Sequence, residues 1–133
     1  AAIGSALAAS PYGLNLLACG IEDNPSNTTR VLVIGTVQGY GEATGADKTS
    51  IIFATPDSPG SLHKALAAFA KRSINLARIE SRPVKGRMWE YLFFVDMIGH
   101  LKDKPVKDCL KELKDKTIFF KILGSYPRAK DGL

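Results

Sequence analysis

Residues 49–83 read TSIIFATPDSPGSLHKALAAFAKRSINLARIESRP, and this stretch decides the fold. The apolar run TSIIFAT (49–55) predicts a strand, and SPGSLHKALAAFAKRS (58–73) predicts a helix. Residues 75–82 alternate apolar and polar side chains, which predicts a second strand. The predicted helix presents four apolar side chains on one face: Leu62, Leu66, Phe69 and Ala70.

The sequence after this stretch repeats the same alternation of elements. A Lys85-Gly86 turn leads into MWEYLFFVDM, which predicts a strand ending near residue 98. KPVKDCLKELKDK predicts a helix whose inner face holds Val106, Cys109, Leu110 and Leu113, and IFFKILG predicts a last strand. The order β-α-β-β-α-β is typical of the ferredoxin-like fold, in which both helices cover one face of a four-stranded antiparallel sheet. Because so short a module buries a modest core, we expect a partner subunit and hence a dimer.

The first 47 residues have a different character. The alanine-rich opening AAIGSALAA suggests that the chain starts inside a helix and is a piece of a longer protein. Two apolar runs, 14–18 and 30–35, are suited to buried strands. Residues 36–47 carry glycines and no periodicity, and we interpret them as a linker.

Charge and composition narrow the class of protein. Residues 1–47 carry one basic and four acidic side chains, a net charge of −3, whereas residues 48–133 carry 17 basic and nine acidic ones, a net charge of +8. The lysines of the second helix alternate with acids, which indicates a solvated helix face. No apolar run is long enough to span a membrane and no signal peptide is evident, so we expect a cytoplasmic protein with no membrane partner. Cys19 and Cys109 form no CxxC pair, which predicts two buried reduced thiols and no metal site.

A candidate carboxylate site lies before the first helix. In PDSPGSL, Ser58 is suited to the N-cap, Pro59 to the first helical position, and Gly60 leaves the helix amides open to a ligand. A helix start of this kind binds anions. A well-made cap without a ligand is the alternative interpretation.

A candidate cation acceptor ends the next strand. In IESRP, Glu80 and Arg82 share one strand face and Ser81 points to the other. Glu80 could accept an ammonium group, and a plain surface ion pair is the alternative. A carboxylate site and a cation acceptor together describe an amino-acid pocket.

Several motifs in order resemble a known family. PGSLHKAL, INLARIESRP, WEYLFFVD and LGSYPRA, within residues 48–128, resemble the ACT domain of prephenate dehydratases, and YGLNLLACGIEDNPSNTTRVLVIG resembles the last segment of their catalytic domain. Aromatic amino acid hydroxylases share an ESRP-containing ACT domain but place an iron-binding catalytic domain after it. The resemblance implies an α+β chain: a fragment of an α/β catalytic domain (1–35), a linker (36–47), a ferredoxin-like ACT regulatory domain (48–128) and a tail (129–133).

The resemblance also implies a function. The family converts prephenate to phenylpyruvate, carbon dioxide and water in phenylalanine biosynthesis, and its ACT domain binds phenylalanine as a feedback inhibitor at a dimer interface. It implies a homodimer through the ACT domains, with tetramers left open, and no cofactor or metal. Ser61 and His63 depart from the Gly-Ala-Leu-Val that the family often shows. Carried over, the effector-binding residues are Gly60, Ser61, Leu62, His63, Asn75, Leu76, Glu80, Ser81, Arg82 and Pro83.

The family's Thr-Arg-Phe motif corresponds to Thr29 and Arg30, with Val31 in the place of phenylalanine. By this resemblance Thr29 donates a hydrogen bond to the leaving hydroxyl, because hydroxide is a poor leaving group, and Arg30 binds substrate carboxylates. Most of such a catalytic domain is absent from 133 residues, so we expect this chain alone to be inactive.

Two other functions fit the same fold. A free-standing ACT-type amino-acid sensor would need no catalytic domain. An RNA-binding module is suggested by basic residues 85–87 ahead of alternating aromatic side chains, but its Gly-Phe pattern is missing and Glu90 and Asp96 would lie near phosphates. We therefore predict no nucleic-acid partner.

Overall fold

The structure is a computed structural model that describes residues 1–24, 34–35, 41–84 and 91–129. The chain divides into two compact units, Ala1–Thr36 and Val37–Leu133. Among the described residues, all strands and both α-helices belong to the second unit.

The first unit holds little regular structure where it is described. A single 3-10 turn spans Ala6–Ala8, in place of the predicted opening helix, and the Ser5 hydroxyl caps it by accepting a hydrogen bond from the Leu7 amide at 3.3 Å. The prediction of a buried strand at 14–18 is wrong: these residues form no strand, and their three leucines are each more than half exposed. A strand needs a neighbouring strand to pair with its backbone groups, whereas the Leu14 amide donates to the Ala9 carbonyl at 2.9 Å and no described residue of this unit is in a strand. Of the second predicted strand, only residues 34–35 are described, and they are not in a strand.

The second unit confirms the predicted order of elements and the ferredoxin-like arrangement. Its elements are β1 (Asp47–Ala54), α1 (Ser61–Ala70), β2 (Leu76–Pro83), β3 (Tyr91–Ile98), α2 (Lys104–Asp115) and β4 (Phe119–Pro127). The four strands form one sheet in the order β2-β3-β1-β4, and each neighbouring pair is antiparallel.

β1 begins inside the segment that the sequence suggested as linker. The Asp47 carboxylate accepts hydrogen bonds from the Thr44 amide at 2.8 Å, the Thr44 hydroxyl at 2.7 Å and the Gly45 amide at 3.1 Å. A buried carboxylate that accepts three hydrogen bonds fixes the turn before it. The regular structure therefore starts at Asp47 and not after it.

The core lies between the helices and one face of the sheet. All four predicted inner residues of α2 are buried, whereas the prediction for α1 is partly wrong because Ala70 is exposed. Ala65, Ala68 and Phe69 follow the helical spacing of the buried stripe, and Ala70 lies one position beyond it. The buried core comprises Ile51, Phe53, Ala65, Ala68, Phe69, Val95, Met97, Leu101, Val106, Cys109, Leu110 and Leu113.

One carboxylate joins the two helices. Glu112 of α2 accepts hydrogen bonds from Lys116 Nζ at 2.5 Å, Arg72 Nη1 at 2.6 Å and Lys71 Nζ at 3.3 Å. These hydrogen bonds, that of Lys116 foremost, lower the pKa of Glu112 to about 2. Glu112 therefore stays ionised well into the acidic range and keeps the end of α1 tied to α2.

The cysteines are both free, but only one is buried. Cys109 lies in the core, where burial raises the pKa of its thiol to about 11. Cys19 is exposed, so the prediction of two buried thiols is wrong for this residue, which lies outside any element that could cover it. Within the described ranges, no helix has the length and apolar character needed to cross a membrane.

Candidate functional site

The loop before α1 differs from the prediction at its cap. α1 begins at Ser61 and Gly60 occupies the N-cap with a φ of 79°, so Ser58 is not the N-cap and Pro59 is not the first helical residue. Glycine adopts a positive φ without steric cost, which is why the helix starts after Gly60. Ser58 instead supports the turn, since its carbonyl accepts the Ser61 amide at 3.1 Å and the two hydroxyl oxygens lie 2.6 Å apart.

The start of α1 is open to an anion. It has no side-chain cap and no acidic residue in its first turn. The first amides of a helix lack intrahelical partners and carry partial positive charge, which favours a carboxylate or phosphate nearby. No atom lies within 4 Å of where a side chain at Gly60 would begin, so this approach is unobstructed.

A cavity of about 380 Å³ adjoins this helix start. Cavities of roughly 300–1,000 Å³ are typical of small-molecule sites. All four residues of the predicted helix-start motif line it: Gly60, Ser61, Leu62 and His63. The remaining lining residues are Thr55, Pro56, Asp57, Ser58, Tyr91 and Phe93.

Six of the ten lining residues were not among the predicted effector-binding residues, and three of them, Asp57, Tyr91 and Phe93, add charged or aromatic side chains to the site. Asp57 adds a carboxylate to the cavity, and the two rings add an aromatic surface. The ring of Phe93 stacks on that of the fully buried Phe53, with centroids 5.4 Å apart, so the surface is anchored in the core. The alternation along β3, combined with its place beside β1 in this fold, is the signal that could have identified both aromatic residues.

The second predicted motif lies in a charged cluster on β2. This cluster comprises Arg78, Glu80 and Arg82, and we refer to it as the β2 cluster. Glu80 Oε1 accepts a hydrogen bond from Arg82 Nε at 2.6 Å, and Glu80 Oε2 accepts one from Arg78. Hydrogen bonds from Arg82 and then Arg78 lower the pKa of Glu80. The Glu80–Arg82 pair was anticipated from the sequence, whereas Arg78 was not.

The β2 cluster carries a net positive charge. One carboxylate is shared between two guanidinium groups, each within the reach of a strong charge-assisted hydrogen bond. An ammonium ligand at Glu80 would share the carboxylate with two arginines, whose positive charges oppose its approach, whereas a carboxylate ligand would be attracted to the same arginines. The role of Glu80 as an ammonium acceptor stays a prediction.

One chain does not bring the two motifs into one pocket. No residue from 75–83 lines the cavity. Glu80 pairs with Phe94, the neighbour of the cavity residue Phe93, so the β2 cluster lies on the opposite sheet face. The end of β2 approaches the cavity without lining it, since Ser81 and Pro83 pair with the lining residues Phe93 and Tyr91.

The remaining predicted residues lie elsewhere. Asn75 precedes β2 at its far end, where its carbonyl accepts the Ile98 amide at 2.9 Å, and Leu76 packs against the core. Ser81 is exposed and pairs with Phe93. Thr29 and Arg30 lie outside the described residues. In the part of the chain that the structure describes, no group of three or more His, Cys, Asp or Glu side chains could hold a metal ion.

Two family profiles match the chain. The profile of the ACT domain matches residues 49–115, and that of prephenate dehydratase matches residues 1–38. The bifunctional chorismate mutase/prephenate dehydratase of Aquifex aeolicus (strain VF5) is 52% identical over 96% of this chain and 35% of its own length. The chain spans 35% to 40% of the length of the first curated relatives that it matches.

Solved structures are similar to the chain as well. The prephenate dehydratase from Arthrobacter aurescens in complex with L-Phe has a TM-score of 0.66 and 42% identity, over 73% of this chain and 32% of that one. A protein named as a novel type of quorum quenching acylase has a TM-score of 0.65 and 30% identity, over 68% of this chain and 47% of that one. Because the ACT profile covers about half of the chain, and the fold has the order of elements expected of that domain, the chain belongs to the ACT domain family.

Proposed function

We propose that this chain is the phenylalanine-binding regulatory part of a prephenate dehydratase. In this proposal residues 48–128 form the regulatory domain, and residues 1–35 come from the end of the catalytic domain. The observation that carries it is the cavity at the start of α1, in a chain 42% identical to a prephenate dehydratase that was crystallised with L-Phe. The acylase relationship, at 30% identity, gives weaker support to another activity.

The cavity suggests how phenylalanine is held. The ligand carboxylate lies at the first amides of α1 after Ser61, because the Ser61 amide already donates to the Ser58 carbonyl. The ligand ring packs against Tyr91 and Phe93, because aromatic rings favour offset or edge-to-face contacts with one another. The ligand ammonium needs a carboxylate, and Asp57 of the same chain and Glu80 of a second chain are the two candidates.

We propose that the site is completed by a second copy of the chain. In one chain the β2 cluster and the cavity lie on opposite faces of the sheet, so the charged side chains of the cluster would reach a cavity only across an interface. β2 is an edge strand of the sheet, and an unpaired edge is a natural place for another chain to approach. The resulting homodimer would hold two equivalent sites, as two-fold symmetry requires.

The parent enzyme, in this proposal, converts prephenate to phenylpyruvate, carbon dioxide and water. Thr29 would donate a hydrogen bond to the departing hydroxyl, and Arg30 would bind a substrate carboxylate. The 133-residue chain alone should form no phenylpyruvate, since it spans 35% to 40% of its curated relatives. Phenylpyruvate formation by the purified chain would contradict this part of the proposal.

Calorimetry of the chain with phenylalanine, tyrosine, tryptophan and methionine tests the binding function. We expect phenylalanine to bind most tightly, and Ser61→Arg, which fills the cavity, to abolish binding. Glu80→Gln and Asp57→Asn identify the ammonium acceptor. Neutralising the residue that accepts the ammonium should weaken binding by about tenfold or more, because a charge-assisted hydrogen bond is lost, whereas neutralising the other residue should not. Lys104→Gln, at an exposed position outside the cavity, is the control. Phenylalanine binding that survives Ser61→Arg unchanged would contradict the assignment of the cavity.

A further inference from the structure

A second cavity runs along α1 beside the first. It has a volume of about 440 Å³, and the described residues that line it include no acid. Its basic side chains are His63, Lys64, Lys71 and Lys116, and its hydroxyl groups are those of Ser58 and Ser61; Pro56 and Ala67 complete the lining. We refer to this cavity as the lysine groove.

Among the described residues, one carboxylate makes ion pairs with the lysines of the lysine groove. Lys71 Nζ and Lys116 Nζ both contact the same oxygen of Glu112, at 3.3 Å and 2.5 Å, while Arg72 occupies the other oxygen at 2.6 Å. One carboxylate thus faces three cations. Lys64 adds a further ammonium that makes no ion pair with any described residue. The surplus attracts an anion to this face of the molecule.

The arrangement suits an anion with several charged oxygens. Two ammonium groups that already share one carboxylate oxygen are close enough for a single small anion to bridge them. The Ser58 and Ser61 hydroxyls lie 2.6 Å apart, so one donates to the other and the second leaves one O–H donor at the other end of the groove. A monovalent ion would be held more weakly than a dianion, because the attraction between charges is proportional to the product of the two charges.

We propose that the lysine groove binds a small dianion, a phosphate or a dicarboxylate, through Lys64, Lys71 and Lys116. The inference does not depend on phenylalanine binding, since it concerns a different ligand and different charged groups. The two cavities share Pro56, Ser58, Ser61 and His63, so a ligand in one changes the surface offered to the other. Any resulting coupling of affinities is reciprocal.

The test is an NMR titration of the full 133-residue chain, in which amide shifts are followed at constant ionic strength near neutral pH. Inorganic phosphate, succinate and chloride are the three probes. We expect saturable shifts confined to residues 56–71 and 112–116 with at least one of the two dianions and none with chloride. The dianion that binds more tightly identifies the ligand class.

Two pairs of variants give opposite expectations. Lys64→Gln/Lys71→Gln should weaken dianion binding about tenfold, because two of the three proposed contacts lose their charge. The matched control, Lys104→Gln/Lys107→Gln, removes the same charge from exposed α2 positions outside the groove and should leave binding within about twofold. Glu112→Gln frees both bound lysines and should tighten binding, whereas Asp115→Asn, which removes one negative charge at an exposed position of the same helix, should not.

Three outcomes would overturn the proposal. The first is the absence of saturable shifts with either dianion, and the second is an equal loss of affinity in the two lysine double variants. The third is weaker dianion binding by Glu112→Gln than by the unmodified chain, which would show that Glu112 does not compete with a dianion for the lysines.

Discussion

Replacing Gly60 by alanine should destabilise the second unit through backbone strain alone. Gly60 has a φ of 79°, and the left-handed conformation costs an L-amino acid about 1–2 kcal/mol. A Cβ at this position meets no atom within 4 Å, so no collision adds to that cost. Asparagine tolerates positive φ better than alanine, whereas β-branched valine tolerates it worst. We therefore expect the loss of stability to increase from Gly60→Asn through Gly60→Ala to Gly60→Val.

Urea and thermal unfolding measure this series. For a domain of about 60–100 residues, each kcal/mol lowers Tm by roughly 4–8 °C, so Gly60→Ala should lower it by about 4–16 °C. Gly124→Ala is the matched control, because a Cβ there also meets nothing within 4 Å but the backbone is not left-handed. Its effect on the free energy of unfolding should be less than about 0.5 kcal/mol. If Gly60→Ala and Gly60→Asn both matched this control, the argument from strain would be refuted.

Ser61 is a better position than Gly60 at which to test the cavity. A substitution at Gly60 changes the cap of α1 as well as the cavity, so loss of ligand binding in Gly60→Val would have two explanations. Ser61 lines the cavity from a normal helical position, so its replacement tests the cavity without that strain.

Three further predictions concern stability and reactivity. The folded-state pKa of Glu112 is about 2, below its ordinary value of 4.5, so its contribution to stability is complete above about pH 5 and is lost as the pH falls toward 2. Urea unfolding of the wild type and Glu112→Gln should therefore converge on acidification, and a difference that stays constant would contradict the assignment. Leu113→Ala should lower the free energy of unfolding in urea by about 2–5 kcal/mol, because Leu113 is fully buried. Leu123→Ala, at a half-exposed position, should lower it by less than about 1 kcal/mol. Similar losses of stability in the two variants would show that the core is assigned wrongly. A thiol reagent should label Cys19 in the native chain and Cys109 only after unfolding, since Cys109 is buried with a pKa of about 11, and rapid native labelling of both would be inconsistent with the fold.

The fold could be predicted where a local pattern and the tertiary environment agree. In α2 the apolar stripe of Val106, Cys109, Leu110 and Leu113 is set among charged residues, so helical periodicity alone identified the buried face. In α1 the alanines made several faces nearly equivalent, so Ala70 was placed inside in error. The run at 14–18 shows the other limit, since a short apolar segment becomes a strand only if a neighbour pairs with it.

The sequence motifs of the candidate site could be predicted, whereas the residues that the fold brings to the cavity from other elements could not. The motif from Gly60 to His63 was identified because its residues are contiguous. Asp57 was passed over in the same loop because the N-cap was assigned to Ser58, although aspartate is equally suited to that position. The contribution of Tyr91 and Phe93 depends on the pairing of β1 with β3, which brings together residues more than 30 positions apart. The second arginine that binds Glu80 is Arg78, which lies outside the IESRP motif and was therefore missed, although residues two positions apart share a strand face.

The measurement that most directly tests the central claim is complementation between two defective variants. Ser61→Arg removes the cavity half of the proposed site, and replacing Arg78, Glu80 and Arg82 together by alanine removes the β2 half; neither variant alone should bind phenylalanine. If each site takes one half from each chain, a heterodimer contains one site with both halves intact. An equimolar mixture, unfolded and refolded together, should then regain about a quarter of the wild-type phenylalanine sites in calorimetry, because half of the dimers are mixed and each has one of two sites restored. A mixture that binds no phenylalanine, while the wild-type chain does, would contradict a site shared between two chains.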